Sequence, residues 1–164
     1  MRLFVVVATI AAAACSTTDP LPVRTIDVPG SNELRRDPAI QPYRYSNGID
    51  DPVTLVIRDA GAWEETWARI VARIGPPKPP APAVDFSKEM VLLVAMGTRP
   101  SGGYTAQILR AASGPGGIVV DWVATSPGAN CFTTAALTQP IDIVLVPRAD
   151  GDVRFSRQDQ TKNC

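Results

Sequence analysis

An uninterrupted apolar segment, Met90 to Met96, constrains the fold of this chain more than any other feature of its sequence. A strand with one face in water alternates apolar and polar residues, whereas a strand that is apolar at every position needs cover on both faces. We therefore expect Met90 to Met96 to form a central strand. Three later segments alternate as half-buried strands do, with apolar positions at Tyr104, Ala106 and Ile108, at Ile118, Val120, Trp122 and Ala124, and at Ile141, Ile143 and Leu145.

The segment after Asp59 has the spacing of an amphipathic helix. Its apolar residues recur three or four positions apart, at Trp63, Trp67, Ile70 and Ile74. Asp59 suits the N-cap, and Gly75 with Pro76 ends the pattern, which predicts a helix over about residues 59–74. Paired tryptophans at this spacing usually pack on a sheet, and an exposed sugar- or peptide-binding surface is the alternative interpretation. The proline-rich residues 76–82 predict an extended polyproline II connector.

Short loops between strands, together with a single clear helix, favour a small α+β domain. We predict one domain over residues 52–164, mainly an antiparallel β-sheet or half-barrel with the amphipathic helix packed on it. Its strand-rich part is expected over residues 84–157. Asp150 and Gly151 predict a two-residue hairpin turn into a strand from Val153 to Phe155.

The amino terminus has the pattern of an export signal. Met1 and Arg2 supply a positive region, and the apolar run from Leu3 to Ala14 is too short to span a bilayer, so residues 1–14 are predicted to be a signal peptide. The residues up to Cys15 resemble a bacterial lipobox, which implies that Cys15 carries lipid and anchors the protein in the cell envelope. Ordinary cleavage, leaving Cys15 as a free thiol on a soluble periplasmic protein, is the alternative. Residues 15–51 are predicted to be a flexible tether, because prolines and charges are scattered through them.

The remaining cysteines agree with export. If Cys15 carries lipid, Cys131 and Cys164 remain as an even pair in an oxidising compartment, which predicts a disulfide between them. A role for Cys131 as metal ligand or nucleophile has little support, because no other thiol lies nearby in sequence and the chain has no histidine.

Composition argues against several classes of function. The chain has no histidine, so the usual general base and the usual ligand of catalytic zinc are missing, and we predict no catalytic residues, no metal and no cofactor. Lys and Arg together number 16, as do Asp and Glu, so the formal net charge is zero and no basic footprint for nucleic acid is visible. A protein partner is the expectation that remains.

The loop between the apolar strand and Tyr104 is the candidate binding site. Pro100 restricts its own backbone, while Gly102 and Gly103 allow positive φ, so the loop is shaped rather than slack. The functional interpretation makes this loop one end of a partner-binding edge formed by Arg99, Pro100, Ser101, Gly102, Gly103 and Tyr104, with the side chains of Arg99 and Ser101 facing outward. The plainer interpretation is a tight connection whose glycines serve geometry alone.

In order and spacing, the strands and turns from Val84 to Phe155 resemble the carboxy-terminal domain of the PrcB family. The resemblance is carried by the apolar strand, the Pro-x-Gly-Gly-Tyr turn, the strand Ile118 to Val123, the Ser126-Pro-Gly128 loop and the strand Ile141 to Val146. PrcB is the non-catalytic subunit of a bacterial surface protease complex. The resemblance therefore implies a binding module that docks on, or stabilises, a protease or another envelope protein.

Two other functions stay open. Arg99 to Tyr104 is similar to the first loop of chagasin-type cysteine-protease inhibitors, and Gly114 to Gly117 resembles their second, glycine-rich loop, but their Arg-Pro-Trp loop has no counterpart here. This makes a protease inhibitor the alternative to a docking module. The third hypothesis is a structural envelope lipoprotein without a specific partner.

Overall fold

The structure, a computed structural model, describes residues 34–114 and 116–164. The predicted signal peptide 1–14, the lipidation site Cys15 and the first part of the predicted tether lie outside the described residues. Within the described part of the chain, no helix is both long enough and apolar enough to cross a membrane.

The described strands form two three-stranded sheets. Sheet one has the order β1-β2-β5 and is antiparallel throughout, and sheet two has the order β3-β4-β6. The elements follow one another as a 3₁₀ turn Gln41–Tyr43, β1 Pro52–Ile57, α1 Ala60–Ile70, β2 Glu89–Met96, β3 Thr105–Gly114, β4 Gly117–Pro127, β5 Ile141–Pro147 and β6 Val153–Lys162. This architecture agrees with the predicted α+β class, while the half-barrel form stays a prediction.

β2 is the central strand that its composition predicted. Every residue from Met90 to Met96 is buried, and the strand pairs with β1 on one side and β5 on the other. Alternate side chains enter two separate apolar clusters: Leu93 packs with the helix side of sheet one, and Leu92 packs between the two sheets. Full burial of both faces explains why no polar residue interrupts the segment.

Helix α1 covers the outer face of sheet one. The Asp59 carboxylate accepts a hydrogen bond from the Ala62 backbone N–H at 2.9 Å, so the predicted N-cap is confirmed. The helix ends at Ile70 rather than near residue 74. The Ile70 carbonyl, which a longer helix would use to accept from residue 74, instead accepts the N–H of Gly48 at 3.1 Å.

The tryptophans of α1 hold the proline-rich connector as well as packing on the sheet. The indole N–H of Trp63 donates to the Pro82 carbonyl at 2.8 Å, and that of Trp67 donates to the Pro79 carbonyl at 2.9 Å. Both rings are buried, which is incompatible with the alternative of an exposed ligand-binding surface on this helix.

Sheet two corrects two sequence predictions. β3 and β4 pair antiparallel, but β4 and β6 pair parallel, so the sheets are not antiparallel throughout. The predicted hairpin at Asp150 and Gly151 is wrong, because β5 and β6 belong to different sheets and the chain crosses between them. Arg58 holds this crossing by donating to the carbonyls of Ala149 and Gly151, at 2.9 and 2.7 Å. The last strand also runs beyond the expected end at residue 157, to Lys162.

The described part of the predicted tether belongs to the packed domain. Ile40 and Ile49 are buried in the cluster under α1. Asn47, also buried, donates its side-chain amide to the carbonyls of Tyr43 and Gln139. For residues 34–51 the prediction of a flexible tether is therefore wrong, and the domain begins before Pro52.

A buried ion pair joins the two sheets. Asp142 of β5 is 1% exposed and accepts two hydrogen bonds from the Arg36 guanidinium, at 3.1 and 2.7 Å, and one from the Ile108 N–H of β3 at 2.7 Å. The hydrogen bond to Asp142 raises the pKa of Arg36 above its ordinary value, although partial burial opposes this. The pair thus fixes the position of β3 against β5.

Candidate functional site

The loop Gly97 to Tyr104 connects sheet one to sheet two, leaving β2 and entering β3. Gly97 and Gly103 have φ of 73° and 87°, a region that favours glycine. The expected positive φ at Gly103 is therefore present. At the base of the loop, Thr98 donates its N–H to the Asp50 carbonyl and its hydroxyl to the Asp50 carboxylate, both at 2.8 Å. The Thr98 hydroxyl, together with the neighbouring Arg73 guanidinium, lowers the pKa of Asp50.

A second loop, which we call the 128–140 loop, holds the first in place. Arg99 and Thr138 exchange two backbone hydrogen bonds, at 2.7 and 3.0 Å. The Gly102 N–H donates to the Thr134 carbonyl at 3.0 Å, and a Cβ at Gly102 would lie only 2.5 Å from the Thr134 hydroxyl oxygen. Gly102 therefore permits the close approach of the two loops without displacing the Thr134 hydroxyl, a role distinct from the positive φ of Gly103.

The outward orientation expected for Arg99 and Ser101 is wrong. Arg99 folds back, donating to the Met96 carbonyl, and its guanidinium lies 5.9 Å from the centre of the Tyr104 ring. The Ser101 hydroxyl donates to the Gly102 carbonyl at 3.0 Å. Both side chains are half-buried, since they form hydrogen bonds within the loop rather than with water. Pro100, between them, is exposed.

The two loops line an open groove of about 350 Å³. This volume is at the lower end of the range for sites that bind small molecules or single side chains. Its floor is formed by the backbone of the glycine turn, by two tyrosines and by threonines, so it offers ring faces, methyl groups and hydroxyls but no charge. The lining residues are Tyr45, Gly102, Gly103, Tyr104, Thr105, Thr134 and Thr138.

The 128–140 loop, which supplies Thr134 and Thr138 to the groove lining, also carries exposed apolar side chains. Phe132 is fully exposed, Leu137 is 69% exposed, and Tyr45 in the groove wall is 44% exposed. The predicted disulfide is present: Cys131, next to Phe132, is bonded to Cys164 and ties the loop to the end of the chain. No sequence pattern marks Phe132 or Leu137 as site residues, because isolated apolar residues in polar segments are uninformative until the folded position of the segment is known.

The arrangement is suited to binding. In the described part of the chain, no three His, Cys, Asp or Glu side chains come together in a way that could hold a metal ion. The two loops are tied together by backbone hydrogen bonds, and their exposed side chains are uncharged. The fold and the groove define a small two-sheet α+β domain with a preformed loop surface.

Comparison with known families agrees with this description. Residues 90–147 match the family model described as PrcB C-terminal, which confirms the resemblance predicted from the sequence. The matched segment covers less than half of the chain and runs from β2 to the end of β5, so it includes both loops of the groove. No curated protein and no solved structure matched the chain.

Proposed function

We propose that this protein is an exported, lipid-anchored and non-catalytic binding module that docks on, and stabilises, a protease or another protein of the cell envelope. The observation that carries the proposal is that the PrcB C-terminal match, over residues 90–147, encloses both loops of the groove. A family named for a protease-complex subunit makes a protease the first partner to test.

The shape of the loop surface supports a protein as the partner. Loops that a rigid sheet holds in place are where binding contacts concentrate, and exposed aromatic and aliphatic side chains beside a concavity are typical anchors of protein interfaces. Phe132 and Leu137 supply the protruding apolar groups, and the groove beside Tyr104 accepts one from the partner. Because hydrogen bonds already order both loops, little conformational entropy is lost on docking.

The predicted partner-binding edge, Arg99 to Tyr104, is retained in a revised form. Pro100, the exposed tip, and the backbone of the glycine turn are the parts that face a partner, while Arg99 supports the Tyr104 ring from behind. We therefore expect Arg99→Ala to act through the position of Tyr104 rather than through loss of a direct contact.

Capture from the native envelope tests the docking surface. Parent protein and a Phe132→Ser, Leu137→Ser double variant are immobilised at equal density and exposed to a detergent extract of the host envelope. The matched control is Leu109→Ser with Val119→Ser, which removes two exposed apolar groups from the strands of sheet two. We expect the loop variant to lose at least about tenfold in affinity for the main captured protein, as the loss of two anchor residues implies, and the control to retain it. Equal capture by both variants would contradict the assignment of this surface.

The anchor is tested separately, because it depends on residues outside the described part of the chain. Replacing Cys15 with Ser is expected to release the protein from the membrane fraction and to remove the mass of the lipid from the mature chain. Mass spectrometry and fractionation of the parent and the variant measure both effects. An unchanged mass and an unchanged distribution would favour ordinary cleavage and a soluble periplasmic protein.

The geometry favours docking over the inhibitor hypothesis. The two loops similar to those of chagasin-type inhibitors, Arg99 to Tyr104 and Gly114 to Gly117, lie at opposite ends of β3. An extended strand of that length separates them by roughly 30 Å. Loops so far apart do not form one continuous wedge for a protease cleft, and a cysteine-protease inhibition assay with the parent protein is expected to show none.

A further inference from the structure

β6 is a long edge strand with an open side. It contains ten residues, Val153–Lys162, and pairs with β4 in an unbroken parallel register, with no proline and no bulge. All of its residues from Ser156 onward are exposed. Edge strands of this length leave a row of backbone N–H and C=O groups available to another strand.

Nothing in the described part of the chain occupies that row. Apart from the pairing with β4, no hydrogen bond from residues 34–114 or 116–164 reaches the backbone between Val153 and Thr161. The strand is nevertheless held firmly at its end. The Gly128 N–H donates to the Lys162 carbonyl at 2.9 Å, and the disulfide of Cys164 follows two residues later. The open edge is therefore preorganised for pairing.

The order of charges along β6 is complementary to itself when the strand is reversed. Arg157 and Asp159 lie two residues apart on one face and form a salt bridge of 2.6 Å, with the Arg157 side chain 40% exposed and that of Asp159 72% exposed. In an antiparallel pair of two β6 strands centred on Gln158, Arg157 of each copy lies opposite the partner's Asp159. Four charges of alternating sign then form a square across the interface.

We propose that this edge pairs with a second copy of the same chain, antiparallel about a two-fold axis through Gln158, so that sheet two continues from one protomer into its partner. The interface is isologous, since the same strand serves both copies. Backbone hydrogen bonds supply the attraction, and the Arg157 and Asp159 square selects the register. At the ends, Arg154 lies opposite Lys162, and this pair of like charges opposes the pairing. None of the residues that line the groove of the proposed function belongs to β6.

Engineered cysteines test the register. The chain carries Cys15→Ser throughout, so that neither lipid nor a stray thiol causes association. Residues opposite each other in antiparallel strands have Cα atoms about 4.5–5.5 Å apart, a distance that a disulfide accommodates. Gln158→Cys is expected to give a cross-linked dimer on mild oxidation. Ser156→Cys is the matched control, because residue 156 lies opposite the partner's Gln160 and should not cross-link to itself.

Charge variants test the contacts, with the dissociation constant measured by sedimentation over a concentration series. Asp159→Arg is expected to weaken the dimer at least tenfold, because it sets cation against cation, and adding Arg157→Asp to the same chain should restore it. Lys162→Glu should strengthen the dimer by removing the like charge opposite Arg154. Thermal melting of each variant shows that the monomer fold is intact.

The outcomes are separable. A protein that sediments as a monomer at every concentration, or equal cross-linking through positions 156 and 158, overturns the proposal. A dimer whose dissociation constant is unchanged both by Asp159→Arg and by Asp159→Arg with Arg157→Asp overturns it as well. Because capture through Phe132 and Leu137 is measured independently, failure of the dimer leaves the docking module untouched, and failure of capture leaves the dimer untouched.

Discussion

The two sheets of this domain differ in how many of their faces are covered. In sheet one, β2 and β5 are buried almost throughout, since α1 covers one face and sheet two covers the other. In sheet two, one face of β4 is buried while Val119 on the other face is 41% exposed, and β6 is exposed over most of its length. Sheet one therefore contains the two most deeply buried strands, and sheet two leaves one face and one edge exposed.

This difference explains where the candidate sites occur. The groove lies where the chain passes from sheet one to sheet two, and the open edge lies on the outermost strand of sheet two. The buried strands β2 and β5 give the loops a rigid base, while the half-covered sheet two leaves room for a partner. Substitutions should therefore cost the most stability in sheet one, less at the junction between the sheets, and least on exposed turns.

Truncation of β2 should be costly on either face. Leu92→Ala and Leu93→Ala each remove a fully buried side chain, from different clusters, and each is expected to lower the free energy of unfolding by about 2–5 kcal/mol. Val119→Ala on sheet two is the control and should change it by less than about 0.5 kcal/mol, as exposed substitutions usually do. Urea unfolding followed by circular dichroism measures the three variants. If either Leu92→Ala or Leu93→Ala cost no more free energy of unfolding than Val119→Ala, the proposed difference between the two sheets would be wrong.

The junction between the sheets should depend on Asp142. Asp142→Asn keeps the volume but leaves the part-buried Arg36 guanidinium without a counter-charge, and we expect a loss of about 3 kcal/mol. The value is at the lower end for buried pairs because the Arg36 side chain is 28% exposed. Asp121→Asn is the matched control, since its partner Arg110 is 48% exposed and such pairs contribute about 0–1 kcal/mol. Equal losses in urea titrations would mean that the junction has no special role.

Gly103→Val should destabilise the loop that links the sheets. It places a β-branched residue at φ 87° and sets a Cβ 3.1 Å from Pro127 and Thr133, at an expected cost of about 1–3 kcal/mol. Gly75→Val is the control, because a Cβ there meets nothing within 4 Å. Thermal melting compares the two. If Gly75→Val lowers the melting temperature as much, the strained turn is not what matters.

The smallest effect concerns the turn that leads into β2. Hydrogen bonds from the Lys88 ammonium and from Ser87 lower the pKa of Asp85 from 3.8 to about 2. Because the folded pKa is the lower one, the stabilisation is fully present above pH 3.8 and is lost as the pH falls towards about 2. Asp85→Asn is therefore expected to reduce the acid sensitivity of stability in that interval. Salt should weaken the effect, since Asp85 is exposed. Identical pH profiles for parent and variant would show that this turn contributes nothing.

Local patterns predicted the elements of the fold well. Asp59 caps α1, the tryptophan spacing marks its buried face, the composition of Met90 to Met96 marks a strand covered on both sides, and the need for positive φ marks Gly103. The family resemblance followed from the order and spacing of these same strands and turns. Each of these features depends on residues that are neighbours in sequence, so periodicity and turn chemistry are sufficient to find them.

Only the tertiary structure decided which segments become neighbours. Asp150 and Gly151 have the composition of a hairpin turn, yet β6 does not pair with β5. It forms hydrogen bonds with β4 in the other sheet instead. Residues 34–51 have the composition of a linker, but Ile40 and Ile49 pack in the apolar cluster under α1. The Gly48 N–H donates to the Ile70 carbonyl at the end of that helix. Arg99 looks free in the sequence and is held by the Met96 carbonyl and the Tyr104 ring. In every case the deciding partner is a backbone group or apolar surface that only the folded chain brings within reach, because such contacts leave no periodic trace in the sequence.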